Sequence, residues 1–316
     1  MKKVNRTPGD KMRKFVVSDL HGNGLVYDRI LSYLENISEE EEIEWIIAGD
    51  LIDKGEDSLR MLEDIKKRMQ KKYPIHIEYL GGDHELMMYQ ALLERRKGER
   101  IPLSHDWIKN GGDVIEKRIY REETYEEMKT FLGNLKIYHE LPESIYHRPI
   151  LLVHAAAPKD LINTNLRISD NNKEVHDAVF NYLDYFDKFF FARDLRGCMN
   201  HHKFGHSLYF IIKGHIPIYN EAGFFYHSKE HYLDINGGEA TYLGNRFHNH
   251  VPLVEIKENY LSILIFHPMN QIEDGYVLKG SKLEKMQEEE LEKNRRYLKK
   301  TSPEEQEKIK IRVLIK

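Results

Sequence analysis

The sequence predicts an α/β fold, because short apolar runs alternate with stretches whose apolar residues recur at helical spacing. Such runs are rich in branched residues and end abruptly in polar side chains, which is typical of buried strands. They cover residues 15–18, 45–48, 75–80, 150–153 and 208–212. Helical spacing follows the first two runs, at residues 25–34 and 59–69. In folds of this class, ligands bind just beyond the carboxyl ends of the strands.

The rest of the chain extends this pattern and then changes in character. We predict one main domain over residues 1–280 and a charged appendage over residues 281–316, because the composition becomes highly charged from residue 280 onward. The predicted segments are a mostly helical insertion at 86–149, a helix at 174–196, second-sheet strands between 232 and 266, a charged helix at 281–300 and a last strand at 309–315.

The composition predicts a soluble globular protein. Of 316 residues, 41% are hydrophobic and 32% charged, and 48 Lys and Arg against 52 Asp and Glu give a formal net charge of −4. A nucleic-acid binder would show a basic excess, and a membrane span would need about 20 consecutive apolar residues. The sequence has neither feature. A single cysteine, Cys198, favours a reducing compartment, and residues 1–10 lack an apolar signal-peptide core, so we expect a cytoplasmic protein.

Acidic and imidazole side chains follow five of the predicted strands. Asp19 and His21 stand two residues apart, which points both side chains the same way. The other strand ends carry Asp50 and Asp53, Asp83 and His84, His154, and His215. Carboxylate and imidazole ligands without cysteine suit Mn²⁺, Fe or Zn²⁺ better than Ca²⁺. So many of these groups at adjacent strand ends would repel one another without cations, so the sequence predicts a metal site there. Two metals about 3.5–4 Å apart would need a carboxylate that bridges them.

Five ordered motifs carry a resemblance to a known family. They are S-D-L-H-G (18–22), G-D-L-I-D-K-G (49–55), G-D-H-E (82–85), V-H-A (153–155) and G-H (214–215). In this order they resemble the motifs of calcineurin-like metallophosphoesterases. Trp107 with Asn110-Gly-Gly, and the stretch Phe191-Ala-Arg193-Asp194, are similar to the bacterial phosphoprotein-phosphatase branch. The resemblance implies a central two-sheet β-sandwich flanked by helices, with residues 1–280 as the catalytic domain.

The resemblance also implies the role of each site residue. Asp19 and His21 would hold one divalent cation, Asp50 would bridge two, and the second would take Asp83, His154 and His215. Manganese is the favoured metal, with iron or zinc as alternatives. Water activated by both cations would attack phosphorus in line. His84 would protonate the leaving oxygen, and Asp53 would orient the imidazole of His84. Lys54 and Arg193 would bind the phosphate, and Asp234 would have a supporting role.

Three residues depart from the family pattern: Asp83, Lys54, and Ala156, which replaces the usual glycine after His154-Ala155. Asp83 stands where the third motif normally has asparagine, which adds a negative charge and removes an amide donor. Tighter metal binding with weaker Lewis acidity is the expected direction. Lys54 stands where the phosphoprotein-phosphatase branch favours arginine. A lysine cannot form two parallel hydrogen bonds, so we expect looser positioning of the phosphate.

The resemblance implies a hydrolase of phosphomonoesters with a phosphorylated substrate, and the branch favours a serine/threonine phosphoprotein phosphatase. One alternative has the same metal-dependent chemistry but another substrate: a symmetrical dinucleoside polyphosphate hydrolase or a nucleotide-end phosphatase. A pseudo-phosphatase would bind phosphorylated partners without turnover. The presence of His84 and Asp53 argues against that last class, because binding alone needs no general acid. The fold cannot choose between substrates, and the sequence does not define an oligomeric state.

Overall fold

A computed structural model provides the structure of the chain. It describes residues 12–70, 74–96, 98–119, 122–155, 165–170, 208–218, 220, 222–228, 231–237, 250–267, 271–279 and 281–298. The predicted helix at 174–196, the predicted strand at 309–315 and Arg193 lie outside these residues. Within the described part, no helix is long and apolar enough to cross a membrane.

Twelve strands of the described residues form two sheets. Their bounds are β1 Arg13–Val17, β2 Ile43–Ala48, β3 Ile75–Leu80, β4 Tyr138–Ile145, β5 Arg148–Val153, β6 Phe210–Lys213, β7 Phe225–His227, β8 Tyr232–Asp234, β9 Val251–Ile256, β10 Tyr260–His267, β11 Gln271–Lys279 and β12 Lys282–Lys285. The larger sheet has the order β12–β11–β10–β9–β1–β2–β3, and the smaller one β4–β5–β6–β8–β7.

The helices lie between these strands in the chain. Their bounds are α1 Gly24–Ser38, α2 Ser58–Gln70, α3 Asp83–Glu94, a π-helical turn Ile108–Gly112, α4 Asp113–Glu116, α5 Glu122–Gly133, a short 3₁₀ turn Ile168–Asp170 and α6 Glu288–Arg295. The side chain of Asn23 caps α1 by accepting a hydrogen bond from the backbone N–H of Val26. Such a cap satisfies one of the donors that a helix start leaves unpaired.

The two sheets enclose one apolar layer, and helices cover the other face of the larger sheet. Val16 and Ile46 of the larger sheet pack in this layer with Phe210 of the smaller one. Their neighbours Phe15 and Val17 face the opposite way and pack with apolar residues of α1 and α2, as the alternation of strand side chains requires. The predicted two-sheet sandwich flanked by helices is therefore confirmed.

Parallel pairing brings several strand ends to one edge of each sheet. β1 pairs with β2 and β2 with β3 in parallel, and so do β5 with β6 and β6 with β8. The predicted metal ligands follow the ends of β1, β2, β3, β5 and β6. The topology thus gathers side chains that lie far apart in the sequence.

The predicted helical insertion at 86–149 is helical only in its first part. Helix α5 ends at Gly133, and residues 138–145 form β4, which pairs with β5. Helix is therefore the wrong prediction for residues 138–149. The register of β4 shifts between Leu141 and Ser144, so the apolar residues lose the strict alternation by which a strand is recognised.

The charged helix predicted for residues 281–300 begins later in the structure than the sequence predicts. Residues 282–285 form β12, which pairs with β11, and α6 begins only at Glu288. Backbone pairing with an edge strand needs no apolar pattern, and all four β12 residues are exposed. Leu291 and Leu298 are buried in the helix-covered core, so this part of the predicted appendage packs on the main domain.

The buried Leu291 of α6 provides a test of that packing. We expect Leu291→Ala to lower the free energy of unfolding by about 2–5 kcal/mol, because it removes buried methyl groups and leaves a cavity. Urea unfolding followed by circular dichroism measures this. Leu283→Ala is the matched control, since Leu283 of β12 is 40% exposed. Equal stability of the two variants would contradict the packing of α6 against the core.

Candidate metal centre

Six of the predicted site residues adopt left-handed backbone conformations. The angle φ is 54° at Asp19, 42° at His21, 52° at Asp50, 70° at Asp53, 63° at Lys54 and 73° at His215. Residues other than glycine avoid this region, and their presence there is typical of functional sites. Each of them lies in a loop that follows β1, β2 or β6. The backbone turns sharply at these points and directs the side chains into one place.

A first set of donor atoms comes from both sheets. Ligand atoms of Asp50, Asp83, His154 and His215 all lie within 4.8 Å of one another. Oδ1 of Asp83 is 2.9 Å from Nε2 of His154 and 2.9 Å from Nδ1 of His215. Nε2 of His154 is also 3.4 Å from Oδ2 of Asp50. The four side chains thus converge on one point.

A second set shares a residue with the first. Ligand atoms of His21, Asp50 and His84 also lie within 4.8 Å of one another. Oδ2 of Asp50 is 3.5 Å from Nε2 of His21 and 4.0 Å from Nε2 of His84. Asp50 is therefore the carboxylate common to both sets, in the position that a bridging ligand requires.

Backbone carbonyls fix the orientation of two of these imidazoles. Nδ1 of His154 lies 3.0 Å from the carbonyl oxygen of Ala48, and Nδ1 of His21 lies 3.1 Å from that of Ile52. A carbonyl only accepts, so in both rings Nδ1 carries the hydrogen and donates. In the neutral ring Nε2 then keeps its lone pair, directed at the centre, and this is the form that binds a metal.

Asp19 belongs to neither set but lies beside the first one. Both of its carboxylate oxygens are 3.1 Å from the backbone N–H of His215, which donates to them. Gly214 permits this approach, because a Cβ there would lie 1.8 Å from Oδ2 of Asp19. The loop after β1 is in this way bound to the loop after β6.

His84 and Asp53 form the hydrogen bond that their predicted roles require. Nδ1 of His84 donates to Oδ2 of Asp53 at 2.8 Å, and both side chains are buried. Burial alone would lower the pKa of His84, but the charge of Asp50 and the bond with Asp53 outweigh it and raise that pKa to about 9. Nε2 of the ring is left facing the centre.

The donor chemistry fits a pair of divalent cations. Burial and the Asp83 carboxylate would raise the pKa of Asp50, but the imidazoles of His154 and His84 outweigh them and lower it to about 2. Ionised carboxylates in a buried site need positive charge nearby. Oxygen and nitrogen donors in two sets that share a carboxylate fit a centre of two divalent cations.

Lys54 points into this centre. Its Nζ lies 3.2 Å from Nε2 of His21, and its backbone N–H donates to the carbonyl of Gly111 at 3.1 Å. The ammonium therefore occupies a place next to the nitrogen that the family pattern assigns to the first cation. Lys54 is the only predicted phosphate ligand among the residues that the structure describes.

Asp234 lies behind the centre and not in either donor set. Its Oδ2 is 2.6 Å from Nζ of Lys213, and both side chains are buried. Lys213 precedes His215 by two residues, and its carbonyl accepts from the backbone N–H of Ile235. The geometry is that of a support for the end of β6, next to a ligand of the first set.

Glu85 received no role from the sequence, although it completes the third motif. Its Oε2 accepts from the backbone N–H of Asp50 and of Gly82, both at 2.8 Å. Its Oε1 accepts from the backbone N–H of Leu51 at 3.1 Å and from the hydroxyl of Tyr79 at 2.7 Å. One buried carboxylate thus holds the strained backbone of Asp50. The spacing of the motif does not reveal this, because the bonds join two separate strand ends.

The fold and the centre define a metal-dependent hydrolase of phosphate esters. Residues 12–244 match the model of the calcineurin-like phosphoesterase family. The chain belongs to this family, which confirms the resemblance seen in its motifs. A comparison with curated proteins found no match.

Two solved structures are similar to this chain at low sequence identity. A cold-active protein-tyrosine phosphatase from a psychrophilic Shewanella species is 16% identical over 87% of this chain and 80% of that chain, with a TM-score of 0.48. A protein serine/threonine phosphatase from Saccharomyces cerevisiae, similar to human phosphatase PP5, is 12% identical over 82% and 81%, with a TM-score of 0.52. At 12% identity, the similarity to the yeast phosphatase concerns the fold and not the substrate.

The shared carboxylate makes a specific prediction for metal binding. We expect Asp50→Asn to weaken the binding of both cations, whereas His215→Ala weakens mainly one, because only Asp50 belongs to both donor sets. Calorimetric titration of the chelator-treated protein with Mn²⁺ measures affinity and stoichiometry. Asp28→Asn is the matched control, since Asp28 is exposed and pairs with Arg60. Retention of two tight sites in Asp50→Asn would contradict the bridging position.

Proposed function

We propose that this protein is a serine/threonine phosphoprotein phosphatase that hydrolyses phosphomonoesters at the metal centre. The observation that carries the proposal is the pairing of His84 with Asp53 beside the shared carboxylate of Asp50. A protein that only binds phosphate has no use for a buried, oriented imidazole that can carry a proton. This supports turnover over binding without hydrolysis.

The two donor sets support the binding of two divalent cations. Asp83, His154 and His215 of the first set would hold one cation, His21 of the second set would hold the other, and Asp50 would serve both. Asp19, which lies in neither set, would join His21 by family resemblance, and His84 of the second set is kept for proton transfer. When bound, the cations supply positive charge that polarises the phosphoryl group and makes water a stronger nucleophile. Oxygen and imidazole donors without sulfur favour Mn²⁺ in this proposal, with iron or zinc as alternatives.

His84 acts as the general acid. Its Nδ1 is committed to Asp53, so Nε2 is the atom that carries the transferred proton. Asp53 orients the ring and stabilises its charged form, because a carboxylate 2.8 Å away favours the imidazolium. The proton passes to the leaving oxygen, and this assistance matters most when that oxygen would otherwise leave as a poor anion, such as a serine alkoxide.

Lys54 binds phosphoryl oxygens in this proposal, and Arg193 does so by family resemblance. The Lys54 ammonium lies 3.2 Å from Nε2 of His21, at the edge of the second donor set, and this supports its role in binding a phosphoryl group there. As a compact charge it attracts the phosphate without fixing its orientation, unlike an arginine.

The cytoplasmic location that we expect rests on the single cysteine, Cys198.

The general-acid role predicts a dependence on the leaving group. General acid–base assistance is worth about 10²–10⁴-fold in rate. We expect His84→Ala to lower kcat/KM for a phosphoserine peptide by a factor in that range, and to affect p-nitrophenyl phosphate much less. The reason is that p-nitrophenolate leaves readily without a proton. Steady-state kinetics with both substrates and saturating Mn²⁺ measure the contrast.

His76→Ala is the control for this experiment, because His76 is an exposed histidine of β3. Equal losses on both substrates in His84→Ala would contradict the general-acid role. Diadenosine tetraphosphate, assayed beside the peptide, tests the substrate class. Turnover of the dinucleotide with none of the peptide would replace the proposed function by the dinucleoside polyphosphate hydrolase.

A further inference from the structure

The motif Trp107-x-x-Asn110-Gly111-Gly112 forms a compact turn against the metal centre. Trp107 is fully buried and directly precedes the π-helical turn Ile108–Gly112. The roles proposed above use none of these residues. The turn nevertheless contacts two of the three residues that the second motif contributes to the proposed chemistry, Asp53 and Lys54.

The indole of Trp107 binds the carboxylate that orients His84. Its Nε1 lies 3.0 Å from Oδ1 and 2.9 Å from Oδ2 of Asp53, and the N–H donates to both oxygens. Oδ2 also accepts from Nδ1 of His84. The indole, the carboxylate and the imidazole thus form one chain of hydrogen bonds that ends at the metal centre. Buried carboxylates are held in place by such donors.

The glycines of the motif explain how the turn fits. A Cβ on Gly112 would lie 2.3 Å from Cε2 of Trp107, so only glycine lets the indole lie here. Gly111 has φ of 100°, and its carbonyl accepts from the backbone N–H of Lys54 at 3.1 Å. A Cβ on Gly111 would lie 2.8 Å from the backbone nitrogen of Lys54. The turn therefore holds the strained backbone of Lys54 as well.

We propose that Trp107 is a positioning residue for the general acid: its indole N–H fixes the Asp53 carboxylate, which in turn fixes the His84 imidazole. The inference rests on the proposed function, because it assigns Trp107 to the proton-donating branch of that reaction. Trp107 does not touch the substrate in this scheme and acts only through Asp53. It should therefore affect the reaction only where the proton of His84 matters.

The second tryptophan of the chain provides a matched comparison. Trp45 of β2 is also fully buried, yet its Nε1 has no hydrogen-bond partner among the described residues. Trp45→Phe removes a large ring without removing a hydrogen bond, whereas Trp107→Phe removes both. The difference between the two variants isolates the effect of the N–H donor from the loss of packing.

The experiment measures the ratio of kcat/KM for a phosphoserine peptide to that for p-nitrophenyl phosphate. We expect Trp107→Phe to lower this ratio by about 10–100-fold, the usual effect of removing a partner that orients a site residue. Trp45→Phe should leave the ratio unchanged. In a His84→Ala background, Trp107→Phe should lower the ratio no further, because residues that act through one another are not additive.

Two results would overturn the inference and leave the proposed function intact. One is an unchanged ratio in Trp107→Phe when His84→Ala lowers it; an equal loss on both substrates gives this result and is the mark of a structural role. The other is a further fall of the ratio when Trp107→Phe is added to His84→Ala. If His84→Ala itself leaves the ratio unchanged, the general-acid role fails and the inference fails with it.

Gly112→Ala keeps the test decisive if Trp107→Phe does not fold. Its added methyl group displaces the indole without changing Trp107 itself. The same selective fall in the ratio is expected from this variant. An unchanged ratio in Gly112→Ala, with folding verified by circular dichroism, counts against the inference.

Discussion

The carboxylate of Asp50 is the group on which the rest of the site depends. It lies in both donor sets, it is almost completely buried, and its backbone has a φ of 52°. Burying a charge in a strained loop is unfavourable unless the loop is held and the charge is offset. Both conditions are met by neighbours from other strands: Glu85 binds the backbone of Asp50, and the imidazoles of His84 and His154 face its carboxylate.

This constraint explains why the fold and the site cannot be separated. Glu85 lies in the first turn of α3 and binds the loop after β2, so the start of one helix fixes the end of a neighbouring strand. Oδ1 of Asp50 accepts in return from the backbone N–H of His84 at 3.2 Å. On the other sheet, the backbone N–H of His215 donates to Asp19. The strand ends are thus cross-linked by the same residues that line the centre, and the strain of each loop is offset by its neighbours.

The sequence predicted the residues of the metal centre better than the interactions that hold these residues in place. Strand ends and ligand types are local features, so Asp50, Asp83 and His154 could be placed from the alternation of apolar runs and from motif order. Left-handed backbone at non-glycine residues has no local signature, and the bond between Trp107 and Asp53 joins residues 54 positions apart. The sequence also failed to predict β4 and β12, because neither strand has a regular apolar pattern. The register of β4 shifts, and β12 is an exposed edge strand. What single-sequence patterns miss are interactions that only the tertiary structure creates.

Asp83 shows how one departure from the family pattern can redistribute charge across the centre. Its Oδ1 lies 2.9 Å from a nitrogen of both His154 and His215, so the substitution keeps an oxygen at the point where the first set converges. Relative to asparagine, it lowers the formal charge of a cation and its ligands by one. A cation held there would be bound more tightly and would attract a phosphoryl group less. In the proposed function, the ammonium of Lys54 beside His21 adds positive charge outside that set. The two departures would then act in opposite directions: a more negative ligand set on one side of Asp50, and a positive charge on the other.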